Sequence, residues 1–214
     1  MNGTRRAIAD TVRWLMARGL YAGTSGNVSA RAAGGLLITP TGVACDEVGA
    51  ASIAFVAADG SARGQLAPSS EWRIHRDIYL RRPEVGAVVH THSMAATALS
   101  CLRRSIPAFH YMVAKAGGDD VRCSRYATYG TAALSRNALA ALAGGRRACL
   151  LANHGLLALG ADLGSARALA QENEELCAQY IHARAAGSPV ILPAREMRRV
   201  RAKFASYGPR EGVD

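Results

Sequence analysis

A short apolar run from Val85 to Val89 leads directly into the tripeptide His90-Thr91-His92. This run constrains the fold most strongly, because its length and composition predict a buried β-strand. Side chains at positions i and i+2 of a strand point to the same face, so both imidazoles are predicted to lie side by side. Such a pair matches the geometry of metal ligands but supplies only two of the three or more that a metal site needs. From these residues alone, a metal site and two structural histidines both stay open.

His154 is the candidate for a third imidazole ligand. It lies in Asn153-His154-Gly155, a polar break inside the otherwise apolar segment 149–159. A residue with a purely structural role at this position is expected to be hydrophobic. Other histidines have weaker claims. His75 and His182 fall on predicted amphipathic helices and are predicted to be surface or interface groups.

Glu71 follows Pro68-Ser69-Ser70, a sequence typical of a helix start. The serines are predicted to cap free backbone N–H groups, and an acidic residue suits the first turn of a helix. Beside a three-histidine metal site, the same carboxylate has two further uses, as an exchangeable ligand and as a proton acceptor. Capping and catalysis both stay open for Glu71 at this point.

Three turns rich in glycine and hydroxyl residues have the composition of an anion-binding site. They are Thr24-Ser25-Gly26-Asn27, Thr41-Gly42 and Ser69-Ser70, and each offers hydroxyls and backbone N–H groups. Any one of them alone is an ordinary turn. Together with a set of metal-ligating histidines in one small domain, they favour an anionic substrate.

Segments with helical spacing of apolar residues alternate with short apolar runs along the chain. Helices are predicted over 4–18, from 69 to about 80, and over 93–103, 131–143, 162–185 and 194–205; strands are predicted over 27–31, 36–39 and 85–89, with a strand pair near 148–159. This order predicts a mixed α/β fold with helices flanking a central sheet. With 214 residues, the chain is predicted to form one domain.

The charge of the chain is strongly basic, with a formal net charge of +10. Among the 26 basic residues only Lys115 and Lys203 are lysines, and the arginines are scattered as pairs. Aromatic residues make up 6% of the chain, too few for the stacking surface typical of nucleic-acid binding. No nucleic-acid partner is therefore predicted, whereas a positive field of this kind attracts anionic substrates such as phosphate esters.

Neither a membrane nor a disulfide framework is indicated. No stretch approaches the roughly 18 apolar residues that a membrane span needs. The five cysteines are odd in number and far apart, without a C-x-x-C motif, which argues against disulfide bonds and a thiolate zinc site. The amino terminus has no apolar signal core. The predicted location is the reducing cytoplasm.

The motifs occur in the order and spacing of the class II aldolase/adducin family, which the chain resembles over nearly its whole length. The matching segments are 23–29, 38–42, 68–72, 88–92, 106–112, 126–131, 153–156 and 203–208. The resemblance implies a single domain over residues 1–214, with a central mixed, largely antiparallel β-sheet flanked by helices and a mobile C-terminal tail at about 205–214. It also implies a homotetramer with active sites at the subunit interfaces.

For the metal centre, the resemblance implies one zinc ion per chain. The implied ligands are His90, His92 and His154, with Glu71 near or on the metal and serving as the catalytic acid and base. By ligand chemistry, manganese, cobalt or iron would also suit three histidines and a carboxylate.

For the substrate, the resemblance implies a phosphate group held by residues of the three turns. These residues are Thr24, Asn27, Thr41, Gly42, Ser69 and Ser70. Tyr111 matches a catalytic tyrosine that assists at the aldehyde oxygen, and Tyr207 matches one on the tail that closes over a neighbouring subunit's site. Tyr129 is implied in the aldehyde pocket, where an aldolase of the family carries phenylalanine, so the identity of the aldehyde stays open.

The implied reaction is the reversible cleavage of a ketose 1-phosphate, L-fuculose 1-phosphate or a similar sugar. Its products are dihydroxyacetone phosphate and a small aldehyde such as lactaldehyde. Zinc would stabilise the negative charge left by carbon–carbon cleavage, so that no lysine Schiff base is needed.

Several alternatives share the implied scaffold. They are a sugar-phosphate 4-epimerase, a decarboxylase, a methylthioribulose-1-phosphate dehydratase and an aldolase for 5-deoxypentulose 1-phosphates. Glu71 favours an aldolase over the epimerase, because the resembling epimerases carry aspartate there. An adducin-like interaction domain without activity is disfavoured, because all three histidines and the acid are present.

Overall fold

The computed structural model describes residues 1–204, which form an α/β fold with one nine-stranded mixed sheet. The helices are α1 (Asn2–Met16), α2 (Trp72–Arg81), α3 (Met94–Cys101), α4 (Ala132–Ala141), α5 (Leu163–Ala186) and α6 (Ala194–Phe204). The strands are β1 (Asn27–Ala32), β2 (Gly35–Ile38), β3 (Ala54–Ala57), β4 (Ala62–Arg63), β5 (Ala87–Thr91), β6 (Ile106–Pro107), β7 (Asp120–Cys123), β8 (Ala148–Leu151) and β9 (Gly155–Gly160). Short 3₁₀ helices cover Cys45–Glu47, Ala50–Ser52 and Tyr111–Ala116.

The strands lie in the order β4-β3-β2-β1-β5-β9-β8-β7-β6. Neighbouring strands are antiparallel except for the pair β7 and β8, which is parallel. The sheet is therefore mixed and largely antiparallel, as the family resemblance implies. Strand β5 lies at its centre between β1 and β9 and is buried along its whole length.

Alternating side chains of β5 divide the core between the two faces of the sheet. Val89 packs into the cluster that holds apolar residues of α1, α3 and α5, whereas Val88 packs into the cluster of α2 and α4. This is the period-two alternation of a strand covered on both faces. Since His90 is two residues beyond Val88, its side chain lies on the α2 side of the sheet.

The predicted helices and the central strands are all present, with boundaries that differ by a few residues. The apolar run predicted a strand ending at Val89, whereas β5 continues to Thr91, because His90 pairs with Asn27 of β1 and Leu157 of β9. Strands β3, β4, β6 and β7 were not predicted. They have two to four residues each, too few for a periodic pattern to develop.

Two other features bear on the expectations from sequence. Within the described range, no helix is long and apolar enough to cross a membrane. The expected C-terminal tail, about 205–214, lies outside the described residues, and so does Tyr207.

Candidate active site

The ends of three elements meet on the α2 face of the sheet, at the carboxyl end of the central strand β5. Strand β5 and the residue after it supply His90 and His92, and the turn between β8 and β9 supplies His154. Glu71 is the residue that precedes the first turn of α2. The pairing of β9 with β5, with Leu157 opposite His90, brings the β8–β9 turn alongside the other two histidines.

Two glycines permit this close approach. At Gly155 an added Cβ would lie 2.3 Å from the carbonyl oxygen of Thr91 and 3.1 Å from Cδ2 of His92. Gly26, with a φ of 91°, would place a Cβ 2.7 Å from the carbonyl oxygen of His90. Because real Cβ atoms do not approach a carbonyl oxygen so closely, the glycines are required for the chain to pass the histidines at these distances.

The three imidazoles and the Glu71 carboxylate form a compact cluster. Their ligand atoms all lie within 4.8 Å of one another. Oε2 of Glu71 lies 3.2 Å from Nε2 of His90, and Oε1 lies 3.3 Å from Nε2 of His154. The Nε2 atoms of His90 and His92 are 2.9 Å apart. The spacing predicted from the i, i+2 pattern and the polar break at His154 is thus present in the fold.

A backbone contact orients the buried His90 ring. Nδ1 of His90 lies 2.9 Å from the carbonyl oxygen of Leu156, which accepts only from a protonated nitrogen. The proton of the neutral ring is therefore assigned to Nδ1, and the lone pair of Nε2 faces the cluster. Ligating histidines are typically held in this way by an outer carbonyl or carboxylate.

The cluster changes the protonation of its members. Burial opposes ionisation of Glu71, but His90, His154 and the amide of Asn27 together hold the pKa of Glu71 well below its ordinary value, so it is ionised at neutral pH. Burial and then His90 lower the pKa of His92 to about 3 and that of His154 to about 4. Burial also lowers the pKa of His90, but Glu71 outweighs it and raises the pKa above its ordinary value.

A cavity of about 400 Å³ opens onto this cluster. Glu71, His92 and His154 lie in its wall. So do all six residues of the expected phosphate site: Thr24, Asn27, Thr41, Gly42, Ser69 and Ser70. The structure therefore brings the three hydroxyl-rich turns and the carboxylate–imidazole cluster into one cavity, although they are far apart in sequence.

The start of α2 differs from the helix cap predicted for it. Glu71 occupies the N-cap position, but its side chain makes no capping hydrogen bond and points to the histidines. Of the two serines, Ser69 accepts from the backbone N–H of Glu71 at 3.3 Å. Turning the Glu71 carboxylate towards the cluster leaves the first turn of α2 without a side-chain cap.

The prediction that His75 is a surface or interface group is wrong. His75 is fully buried on α2. Its ring hydrogen-bonds to Ser29 and Asn27 of β1, because this face of α2 packs on the sheet. Asn27, expected to bind phosphate, is also buried, and its amide donates to Oε2 of Glu71 at 2.9 Å.

Comparison with known proteins decides the family. The sequence model described as "Class II Aldolase and Adducin N-terminal domain" matches residues 6–181. The chain belongs to the class II aldolase/adducin family. Aldolases of class II depend on a metal ion, and the names of the relatives below indicate that the chain is an aldolase, a carbon–carbon lyase.

Two curated relatives cover nearly the whole chain. A 5-methylthioribulose-1-phosphate/5-deoxyribulose-1-phosphate aldolase of Rhodospirillum rubrum is 53% identical over 204 residues, which are 95% of this chain and 92% of that protein. An L-fuculose phosphate aldolase of Escherichia coli K12 is 44% identical over 210 residues, 98% and 97% of the two chains. A solved structure named L-fuculose 1-phosphate aldolase has a TM-score of 0.91, with 39% identity and coverage of 95% and 96%.

The site of this class II aldolase fits a divalent metal ion. Its donors are three imidazole nitrogens and one carboxylate, a set that suits first-row transition metals. Oε1 of Glu71 is buried and finds no hydrogen-bond partner among residues 1–204, which is costly without a cation nearby. The 2.9 Å between the Nε2 atoms of His90 and His92 likewise needs a proton or a cation between the two lone pairs.

Metal binding by this class II aldolase is expected to weaken as pH falls, because a protonated imidazole cannot ligate a metal. Burial lowers the pKa values of His92 and His154, whereas Glu71 raises that of His90, so His90 is the first imidazole to take up a proton that the metal must displace as pH falls. Affinity is thus lost as pH falls, by about tenfold per unit below the pKa of His90. Chelator competition between pH 5 and 8 measures this slope, and a slope of two or three protons would contradict the assignment.

Of the tyrosines expected near the aldehyde, Tyr129 and Tyr111 lie within the described residues, and only Tyr129 of these two lines the cavity. Tyr129 lines the cavity, together with Tyr126 and Asn153, which the sequence reasoning did not assign. Tyr111 is 48% exposed and stacks on Phe204, with ring centroids 6.2 Å apart, and it is not part of the cavity wall as described.

Proposed function

We propose that this class II aldolase reversibly cleaves a ketose 1-phosphate between C3 and C4, giving dihydroxyacetone phosphate and a small aldehyde. One observation carries the proposal: hydroxyl-rich turns and a carboxylate–imidazole cluster line the same cavity of about 400 Å³. A phosphorylated sugar presents an anionic end to such turns and an oxygen-bearing carbon chain to such a cluster. The expected cytoplasmic location, without disulfide bonds, belongs to the same proposal.

The phosphate group is assigned to the three turns. Thr24, Thr41, Ser69 and Ser70 supply hydroxyls at the cavity wall, and the exposed Gly42, with a φ of 68°, lies in the same wall. The second and third turns are joined beside Pro40 and Pro68, where the N–H of Thr41 donates to the carbonyl of Ala67 and the N–H of Ser69 donates to that of Thr39. Hydroxyls and backbone N–H groups fixed in this way bind an anion without large reorganisation.

The metal ion is assigned as one zinc per chain, held by His90, His92 and His154, with Glu71 beside it. When bound, it supplies a Lewis acid that stabilises negative charge on substrate oxygens. Zinc accords with the imidazole ligands, and manganese, cobalt or iron would also suit the set.

Glu71 is assigned as the catalytic base. Its carboxylate is ionised at neutral pH, and its Oε1 has no hydrogen-bond partner in the described part of the chain. In the condensation direction it takes a proton from C3 of dihydroxyacetone phosphate, and in cleavage it returns that proton. A positioned base of this kind is typically worth about 10²–10⁴ in rate.

Tyr111 and the C-terminal tail are assigned to the site of a neighbouring chain. Tyr111 lies outside the cavity of its own chain, with its ring half exposed beside α6. A homotetramer with active sites between subunits would place its hydroxyl near the aldehyde oxygen of the next chain. There it would donate a proton to the alkoxide that forms on condensation, while Tyr207 would cover the aldehyde.

The aldehyde end of the substrate is the least constrained part. L-Fuculose 1-phosphate yields lactaldehyde, whereas the two sugars in the name of the Rhodospirillum rubrum relative yield acetaldehyde and (methylthio)acetaldehyde, which lack the hydroxyl group of lactaldehyde. The identity of 53% against 44% favours the 5-deoxypentulose phosphates as the preferred class. L-Fuculose 1-phosphate is the second candidate.

A substrate panel tests the proposal. Zinc-loaded protein is incubated with L-fuculose 1-phosphate, 5-deoxyribulose 1-phosphate and 5-methylthioribulose 1-phosphate, and dihydroxyacetone phosphate is measured with a coupled dehydrogenase. We expect it from all three, with the highest kcat/KM for the two 5-deoxypentulose phosphates. Failure to form it from any of them would contradict the proposal, and an isomeric, dehydrated or decarboxylated product would indicate the epimerase, dehydratase or decarboxylase instead.

A further inference from the structure

A chain of buried hydrogen bonds runs from α2 through β1 to Glu71. Oη of Tyr79 lies 2.8 Å from Oγ of Ser29, and that Oγ lies 2.6 Å from Nδ1 of His75. Nε2 of His75 hydrogen-bonds to Oδ1 of Asn27, and Nδ2 of Asn27 donates to Oε2 of Glu71 at 2.9 Å. All five side chains are buried.

The donors in this chain point in one direction, towards Glu71. An ionised carboxylate only accepts, so Asn27 must turn its NH₂ group to Glu71 and its oxygen to His75. The oxygen of Asn27 requires a proton on Nε2 of His75, which leaves Nδ1 to accept from Ser29. Burial lowers the pKa of His75 to about 3, so the ring is neutral and has one N–H to give.

We propose that His75 is a positioning residue that fixes the side-chain amide of Asn27 and, through it, the rotation of the Glu71 carboxylate. Oε2 is then held by Asn27, and Oε1 lies 3.3 Å from Nε2 of His154. The inference rests on the proposed role of Glu71 as the base. Among the described residues, His75 belongs neither to the metal-ligand cluster nor to the cavity lining, and it reaches both through Asn27.

Loss of the Nε2 donor has a defined consequence. Without it, the buried Oδ1 of Asn27 has lost its donor, and the amide is held from the Glu71 side alone. Glu71 then loses its fixed rotation, and misplacement of a catalytic group by about 1 Å costs roughly 100-fold in rate. Because the hydroxyls of Thr24, Thr41, Ser69 and Ser70 are not altered, phosphate binding is retained.

Two amide variants separate positioning from packing. In His75→Gln the side-chain nitrogen reaches the place of Nε2 and can donate to Asn27, whereas in His75→Asn it reaches only the place of Nδ1, beside Ser29. We expect His75→Asn to lower kcat by about 10- to 100-fold with KM and zinc content nearly unchanged, and His75→Gln to keep kcat within a few-fold. Tyr79→Phe removes only the hydroxyl group that is farthest from Glu71 in this series of hydrogen bonds, and it should leave kcat nearly intact.

Equal losses of kcat in the Gln, Asn and Tyr79→Phe variants would overturn the inference and indicate packing alone. A rise in KM with kcat intact would also overturn it. A second readout uses metal-free protein: ¹⁵N NMR is expected to place the His75 proton on Nε2, with slow solvent exchange of the Asn27 amide that becomes fast in His75→Asn.

The NMR readout keeps this inference separate from the proposed function. A proton on Nδ1 of His75 in the wild-type protein would overturn the inference whatever the variants do, even if His75→Asn does not fold. Absence of dihydroxyacetone phosphate with wild-type protein would instead contradict the proposed function, while the tautomer and the Asn27 exchange would still report on the hydrogen-bond chain.

Discussion

Glu71→Gln is expected to lower the rate of carbon–carbon cleavage by about 10²–10⁴ and to leave the metal bound. The amide has nearly the shape of the carboxylate and still accepts from Asn27, but it cannot take a proton. The three imidazoles stay in place, so zinc is retained. The measurement is kcat for the best ketose 1-phosphate, together with zinc content by atomic absorption.

The same variant also tests the proton-transfer step directly. With dihydroxyacetone phosphate alone in D₂O, the wild-type protein is expected to exchange one hydrogen at C3, and Glu71→Gln is expected to lose this exchange. Glu84→Gln makes the same chemical change at an exposed carboxylate that pairs with Arg82 and lies outside the cavity wall as described, and it should exchange normally. Wild-type rates in Glu71→Gln would exclude the carboxylate as the base.

The cluster of three histidines was predictable from sequence because its signal is local. Two imidazoles at i and i+2 after an apolar run share a face wherever that run forms a strand, and β5 is such a strand. The polar break at His154 identified a third candidate. That this turn lies against His92 depends on the pairing of β5 with β9, which no periodic pattern shows.

The error at His75 has an identifiable cause. An amphipathic pattern predicts that one face of a helix is buried, but it does not show which polar side chains the buried face carries. Helix α2 packs on the sheet and against α4, and His75 lies on the inner face with a polar partner on β1. Glu71 and His75 are four residues apart, so they share one face of the helix. That spacing predicts that the side chains of Glu71 and His75 lie on the same side of α2.

Asn27 shows what a motif leaves undetermined. Its turn composition indicates anion binding, and the residue does line the cavity. Its amide is nevertheless engaged by Glu71 and His75, partners 44 and 48 positions away. A sequence motif gives the chemistry that a side chain offers, whereas the packing of β1 against α2 decides which group uses it.

His92→Ala is expected to lose both the metal and cleavage activity. His92 contributes one of three imidazole nitrogens, and its Nε2 lies 2.9 Å from that of His90. Changes to outer partners of metal ligands typically cost 10- to 100-fold in affinity, so loss of a ligand is expected to cost more than about 100-fold. Chelator competition measures the affinity, and the coupled assay measures residual cleavage.

His182→Ala is the matched control, because His182 is exposed on α5 and lies outside the metal-ligand cluster found in residues 1–204. It should bind zinc and cleave like the wild type. The open, solvent-facing position of His92 makes its loss compatible with folding, since it leaves no large cavity in the core. If His92→Ala keeps one zinc per chain at wild-type affinity, the metal is held elsewhere, and the ligand set drawn from the cluster is wrong.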